Sequence, residues 1–219
     1  MAERPILFSA PLVQALLAGR KTETRRLITK GTSRMLAETR AAWGELDWTT
    51  GAVSRLTSGH DEGVLVRGLD IMTHGLVCRV HSGDTLYVRE SWRTSSAWDE
   101  IKPSELPETA PIVYTADGEW PETWMGRPSI FMPKWASRIK LRVTEVGAER
   151  VQQITGAGAK AEGIELPQPG RLVVMSSAAI DDLYIERFED LWDQINGKRE
   201  GASWDANPWV WVIKFEVMS

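Results

Sequence analysis

The stretch WVWVIKFEV at residues 209–217 sets Trp209, Trp211, Ile213, Phe215 and Val217 on alternate positions. That two-residue period predicts a long β-strand with one buried face. Ile139, Leu141 and Val143 repeat the pattern, alternating with Lys140, Arg142 and Thr144. A third alternation, TLYVRESW at 85–92, follows the turn Ser82-Gly83-Asp84 and puts Leu86 and Val88 on one face, Tyr87 and Arg89 on the other. IVYTAD at 112–117 reads as a further strand, after a loop holding Pro103, Pro107 and Pro111.

Helical spacing occurs in three places. Ser9 is placed as an N-cap with Pro11 in the first turn, and Leu12, Ala15 and Leu16 form a face that Gly19 terminates. Val151 and Ile154 stand at helical spacing within 148–164. Ile180, Leu183, Tyr184, Phe188, Leu191, Trp192 and Ile195 form one face of an amphipathic helix closed by Asn196-Gly197. Turns between the middle strands are too short for parallel crossovers, so the expectation is an α+β chain whose mixed sheet curls into a small barrel with flanking helices. One domain spanning 1–219 is expected, with insertions at about 35–80 and 93–135. The first insertion reads as short strands and loops.

The 42% hydrophobic and 26% charged residues are ordinary for a globular protein, and a net charge of −4 argues against indiscriminate coating of duplex DNA. Cys78 is the single cysteine, which excludes an intramolecular disulfide and fits a reducing, cytoplasmic setting. His60, His74 and His81 lack the spacing of a helical zinc site, so neither a metal nor another cofactor is expected. No window approaches a membrane span.

The run GRKTETRR at 19–26 stands apart from that acidic balance. Between Arg20 and Arg34 lie six bases, Arg20, Lys21, Arg25, Arg26, Lys30 and Arg34, against one acid, Glu23. Two readings remain open: a solvated basic face, or the lining of a pocket entered from a helix and left along a strand.

GRKTETRR after a short helix, GDTLYVRESW, RPSIFMPKWASRIKLRVTEV, and LWDQINGK followed by WDANPWVWVIKFEV together resemble the ASCH superfamily of phage and prophage type. The resemblance implies a PUA-like β-barrel fold. Within that superfamily, bacterial N4-acetylcytidine amidohydrolases use a lysine as proton acceptor, a threonine as nucleophile and a glutamate as proton donor. The resemblance carries these roles to Lys21, Thr24 and Glu162, with Glu165 and Glu90 as rivals for the last. It implies an amidohydrolase acting on the exocyclic N4 of a modified cytidine or related nucleoside. The alternative is a non-catalytic module that binds single-stranded RNA or a modified base.

An amide hydrolase needs a nucleophile, a base, a proton donor and a stabiliser for the oxyanion. For Lys21 to serve as base near neutral pH, its pKa must drop by roughly three units, about 4 kcal/mol. Neighbouring Arg20, Arg25 or Arg26 would push in that direction. In a regular strand residues 21 and 24 face opposite sides, so a shared pocket requires a turn or bulge near Thr22.

Eleven tryptophans are many for 219 residues. Trp192 and Trp211 read as core, whereas Trp92 and Trp209 sit at strand edges beside polar residues. Stacking on an aromatic is worth about 1–3 kcal/mol per base. Arg20, Arg26, Arg89, Glu90, Trp92, Asn207 and Trp209 are therefore the substrate-binding candidates. Packing remains the other reading for the tryptophans and an Asx-turn for Asn207.

Overall fold

A computed structural model describes residues 2–28, 78–166 and 175–218, together with the backbone of two short strands at 53–56 and 63–66. The chain divides into two compact units. One comprises Met1–Thr22, Gly83–Val143 and Phe215–Ser219; the other comprises Glu23–Ser82 and Thr144–Lys214.

In the first unit, β1 (Glu3–Leu7) runs parallel to β5 (Thr85–Arg89), pairing Ile6 with Val88. The opening of β9 (Lys140–Arg150) lies antiparallel on the other side of β5, pairing Leu86 with Leu141. β1 was not legible in the sequence, where Pro5 and the apolar run after it obscure any alternation. Helix α1 (Ala10–Leu17) starts after Ser9, with Pro11 in its first turn, and buries Val13, Ala15 and Leu16. Gly19 takes φ +67°, a conformation open to glycine, and the Arg20 and Lys21 N–H groups donate back to the Ala15 carbonyl at 2.8 and 3.1 Å.

The strand expected over 85–92 is two strands. β5 stops at Arg89 and β6 (Trp92–Thr94) forms the centre of a second sheet between β7 (Ile112–Tyr114) and β8 (Met125–Arg127). The break has a physical cause: the Glu90 N–H donates to the Met132 sulfur, and the Ser91 carbonyl accepts from Thr115 N–H. Residues 112–117 likewise end their strand at Tyr114 and turn into a 3-10 segment, Thr115–Asp117. Trp92, Leu106, Ala110, Met132 and Ala136 form the core under this sheet.

In the second unit, β2 (Glu23–Leu27) is antiparallel to β10 (Trp209–Val217), with Thr24 opposite Ile213 and Arg25 opposite Val212. The latter part of β9 belongs here, as does an antiparallel hairpin of β3 (Val53–Leu56) and β4 (Gly63–Val66). The remaining residues of the 35–80 segment, up to residue 77, lie outside those described, as do His60 and His74.

β10 departs from a one-faced strand. Val210 and Val212 are buried along with Trp211, Ile213 and Phe215. Val210 and Val212 join Val151, Ile154, Ala159, Phe188, Trp192 and Trp204 in one apolar cluster. Helix α2 (Gly156–Ala161) and helix α3 (Ser177–Asn196) supply the covering residues. Val151 and Ile154 are in that cluster, yet Val151 opens a 3-10 turn and the α-helix begins only at Gly156. On α3, Phe188 and Trp192 face inward and Trp192 Nε1–H donates to the Ala202 carbonyl at 2.8 Å, while Ile195 is exposed. The α+β class with a mixed sheet and flanking helices is thus present.

Candidate functional site

The geometry at Thr24 follows from antiparallel pairing. Ile28 N–H donates to Trp209 O, and Phe215 N–H donates to Thr22 O, which fixes the even-numbered residues of this segment as those that bond to β10. The N–H groups of Glu23, Arg25 and Leu27 therefore point off the other edge of β2, where no further strand pairs among the described residues. A buried edge N–H needs an acceptor. For Arg25 that acceptor is Glu162 Oε1 at 2.5 Å.

Glu162 caps the C-terminal end of α2, so the helix delivers its carboxylate to the Arg25 N–H on the edge of β2. Thr24 and Glu162 are 2% and 5% exposed. The Arg25 side chain completes the cluster. Its Nη1 lies 3.4 Å from Glu162 Oε1 and 2.8 Å from Glu23 Oε1, and its Nε donates to Glu149 Oε1 at 2.7 Å. The guanidinium lies 5.8 Å from the centre of the Phe188 ring. Burial opposes its charge, but Glu162, Glu149 and Glu23 outweigh burial and hold the group above its ordinary value.

Gly158 of α2 makes this approach possible. A Cβ there would stand 3.0 Å from Arg25 Nη2 and 3.1 Å from Glu23 Oε1.

Arg26 is half-buried in the same unit. Burial holds its guanidinium below the ordinary value, with Glu162 opposing the shift. Lys21 lies in the first unit. It precedes β2, its side chain is 1% exposed, and its Nζ stands 5.2 Å from the Phe8 ring centre. Arg20 is exposed, as is Glu165.

The other sequence candidates form separate groups. Glu90 is buried and receives Arg138 at both oxygens, at 2.9 and 3.1 Å; Asp117 takes the same guanidinium, which lies 3.9 Å from the Tyr114 ring centre. Burial pushes the Glu90 carboxyl up, and Arg138 only partly offsets this. Arg89 donates to the Ile130 carbonyl at 2.9 Å. Trp92 is a core residue with no measurable exposure, below the Arg127 guanidinium.

In the second unit, Asn207 holds φ +44° and accepts from Gln152 N–H through Oδ1, and its carbonyl accepts from Arg150. Arg150 covers the half-buried Trp209 ring at 4.7 Å.

Glu23 and Glu149 are outside the residues expected at the site. Glu23 was findable, because residues two apart on a strand share a face and Glu23 and Arg25 have opposite charge. Glu149 carried no such signal. Among the described residues no group of three or more His, Cys, Asp or Glu is placed to hold a metal ion, and no helix is long and apolar enough to cross a membrane.

No protein-family model matches this chain, and no curated protein matches it. Among solved structures it is similar to an ASCH domain from Lactobacillus crispatus JV V101, at 12% identity and a TM-score of 0.35, over 99% of this chain and 79% of that one. A likeness at that level carries nothing about reaction or substrate.

Proposed function

We infer that the chain is an amidohydrolase that removes an acyl group from the exocyclic N4 of a modified cytidine or related nucleoside. The observation that supports this reading is a covered threonine, Thr24, next in the chain to Arg25, whose main-chain N–H holds the covered carboxylate of Glu162. Lys21 is the base.

In the first half-reaction Thr24 Oγ1 attacks the acyl carbon while its proton passes to the Lys21 amine. The tetrahedral oxyanion collapses, the bond from carbon to N4 breaks, and N4 takes a proton from Glu162. Free cytidine leaves and an acyl-threonine ester remains. Water then attacks the ester, giving its proton to the Glu162 carboxylate, and the lysine returns its proton to Oγ1. The products are the carboxylic acid and the starting enzyme. With Thr24 nearly covered, a free nucleoside that can be drawn inward suits the site better than a base held in a duplex.

The test is deacylation of N4-acetylcytidine by purified protein. Thr24→Ala and Glu162→Gln should each lose about 100-fold or more in turnover while keeping the parent's circular dichroism. Absence of turnover by the parent over a panel of N4-acylated cytidines refutes the reading.

One observation favours a second reading. Glu162 is engaged by Arg25 as an acceptor, an arrangement that equally suits a site that only holds a modified base or single-stranded RNA. In that case Thr24→Ala binds cytidine or a short RNA as tightly as the parent, and neither protein turns the acylated nucleoside over.

A further inference from the structure

We propose that Arg25 is the positioning residue for Glu162, and that Glu149 and Glu23 serve the site by fixing Arg25. This rests on the hydrolase reading above. A carboxylate on the residue that caps a six-residue helix has little of its own to define its direction. Here its Oε1 is set by two donors of a single residue, the Arg25 main-chain N–H at 2.5 Å and the guanidinium Nη1 at 3.4 Å. The main-chain donor is immobile because β2 is paired to β10 on either side of it. The guanidinium is immobile because Glu149 holds Nε, Glu23 holds Nη1, and the Phe188 ring and Gly158 bound it.

The planar fork is essential to this arrangement. Arginine presents five N–H donors in a fixed geometry, so it can bind Glu149 and Glu23 and still direct a donor at Glu162. Lysine keeps the charge but offers a compact head on a flexible stem, which cannot meet three carboxylates from three directions. The two donors converge on one oxygen of Glu162 and so fix the direction of its carboxyl plane. Arg25 itself touches no reacting atom.

A residue acting only through Glu162 has a recognisable signature. Arg25→Lys should lower kcat on N4-acetylcytidine by about 10- to 100-fold through misplacement of the carboxylate. KM should stay within about threefold, and the far-ultraviolet spectrum should be unchanged. In a Glu162→Gln background the same substitution should cost less than about threefold, because the group it positions is gone. Glu149→Gln, at a partly exposed side chain, should repeat the pattern with a smaller loss, and reads out the same cycle if the lysine variant does not fold.

A second substrate separates positioning from general disruption. 4-Nitrophenyl acetate releases a phenolate that needs no proton, so in Arg25→Lys the initial burst of nitrophenolate, which reports acylation alone, should keep a rate within about threefold of the parent. Steady-state turnover, which needs Glu162 to activate water, should fall. Equal losses in the ester burst and in amide turnover, or full additivity in the cycle, overturn the positioning role while leaving the hydrolase reading intact. If Thr24→Ala keeps the parent's turnover, the hydrolase reading itself fails.

Discussion

Gly158→Ala probes the rigidity of the Arg25 cluster without altering a charge. Alanine is favoured over glycine in a helix by about 0.8–1.0 kcal/mol, so in open space this change would stabilise α2. Here the new methyl would stand 3.0 Å from Arg25 Nη2, 3.1 Å from Glu23 Oε1 and 3.2 Å from Ile154 Cγ1. Relief requires a retreat of a few tenths of an ångström. The guanidinium cannot retreat alone, because it is bonded to Glu149 at 2.7 Å and to Glu23 at 2.8 Å.

Overpacking in such a position costs about 1–3 kcal/mol, so with the propensity gain subtracted the expected outcome is a net loss of about 1 kcal/mol. For a chain of this size that corresponds to about 2–4 °C in Tm. Gly147→Ala in β9 is the control. A Cβ there meets nothing within 4 Å, so that variant should gain about 0.4–1 kcal/mol. Urea midpoints followed by tryptophan fluorescence, with circular dichroism as a second probe, decide between them. If Gly158→Ala shifts upward like Gly147→Ala, the guanidinium yields freely, and the fixed cluster on which the role of Arg25 depends does not exist.

Glu90 gives a pH-dependent expectation. Its folded-state value is raised by burial, so the stability it contributes is full below the ordinary glutamate range and is lost as pH rises through the raised value. Urea midpoints measured across that interval should fall with pH for the parent and fall less steeply for Glu90→Gln; identical slopes would refute the assignment. Trp192→Phe removes the donor to the Ala202 carbonyl at 2.8 Å and leaves that acceptor inside the apolar cluster, for an expected loss of about 1–3 kcal/mol in the same unfolding assay.

The elements that were legible are those whose burial has a single period. β9 and the exposed-to-buried rhythm of Leu141 and Val143 came directly from alternation, and α3 from its 3.6-residue stripe. Where two partners compete for one stretch, the period breaks down. The first half of β10 is covered on both faces, so its valines carry as much core as its tryptophans. An alternation count sees only the larger side chains. β5 and β6 read as one strand because Glu90 and Ser91 continue the polar rhythm, whereas their main-chain groups bond to Met132 and Thr115, partners 42 and 24 positions away in the sequence.

The same distinction explains the site. GRKTETRR drew notice as a block of positive charge, and the structure shows Arg25 serving as an internal counterion for Glu23, Glu149 and Glu162. A local excess of bases in an acidic chain thus signals acids that arrive from elsewhere in the fold, here from the end of a strand and the end of a helix. Glu23 is two residues away and shares the strand face, so its contact was available to a period-two reading. Glu149 and Glu162 lie 124 and 137 positions on, and only the return of β9 and α2 to the edge of β2 brings them there. The chemistry follows the same order. Thr24 and Glu162 are recognisable as residue types, but the arginine to which the positioning role is assigned depends on carboxylates that only folding brings to it.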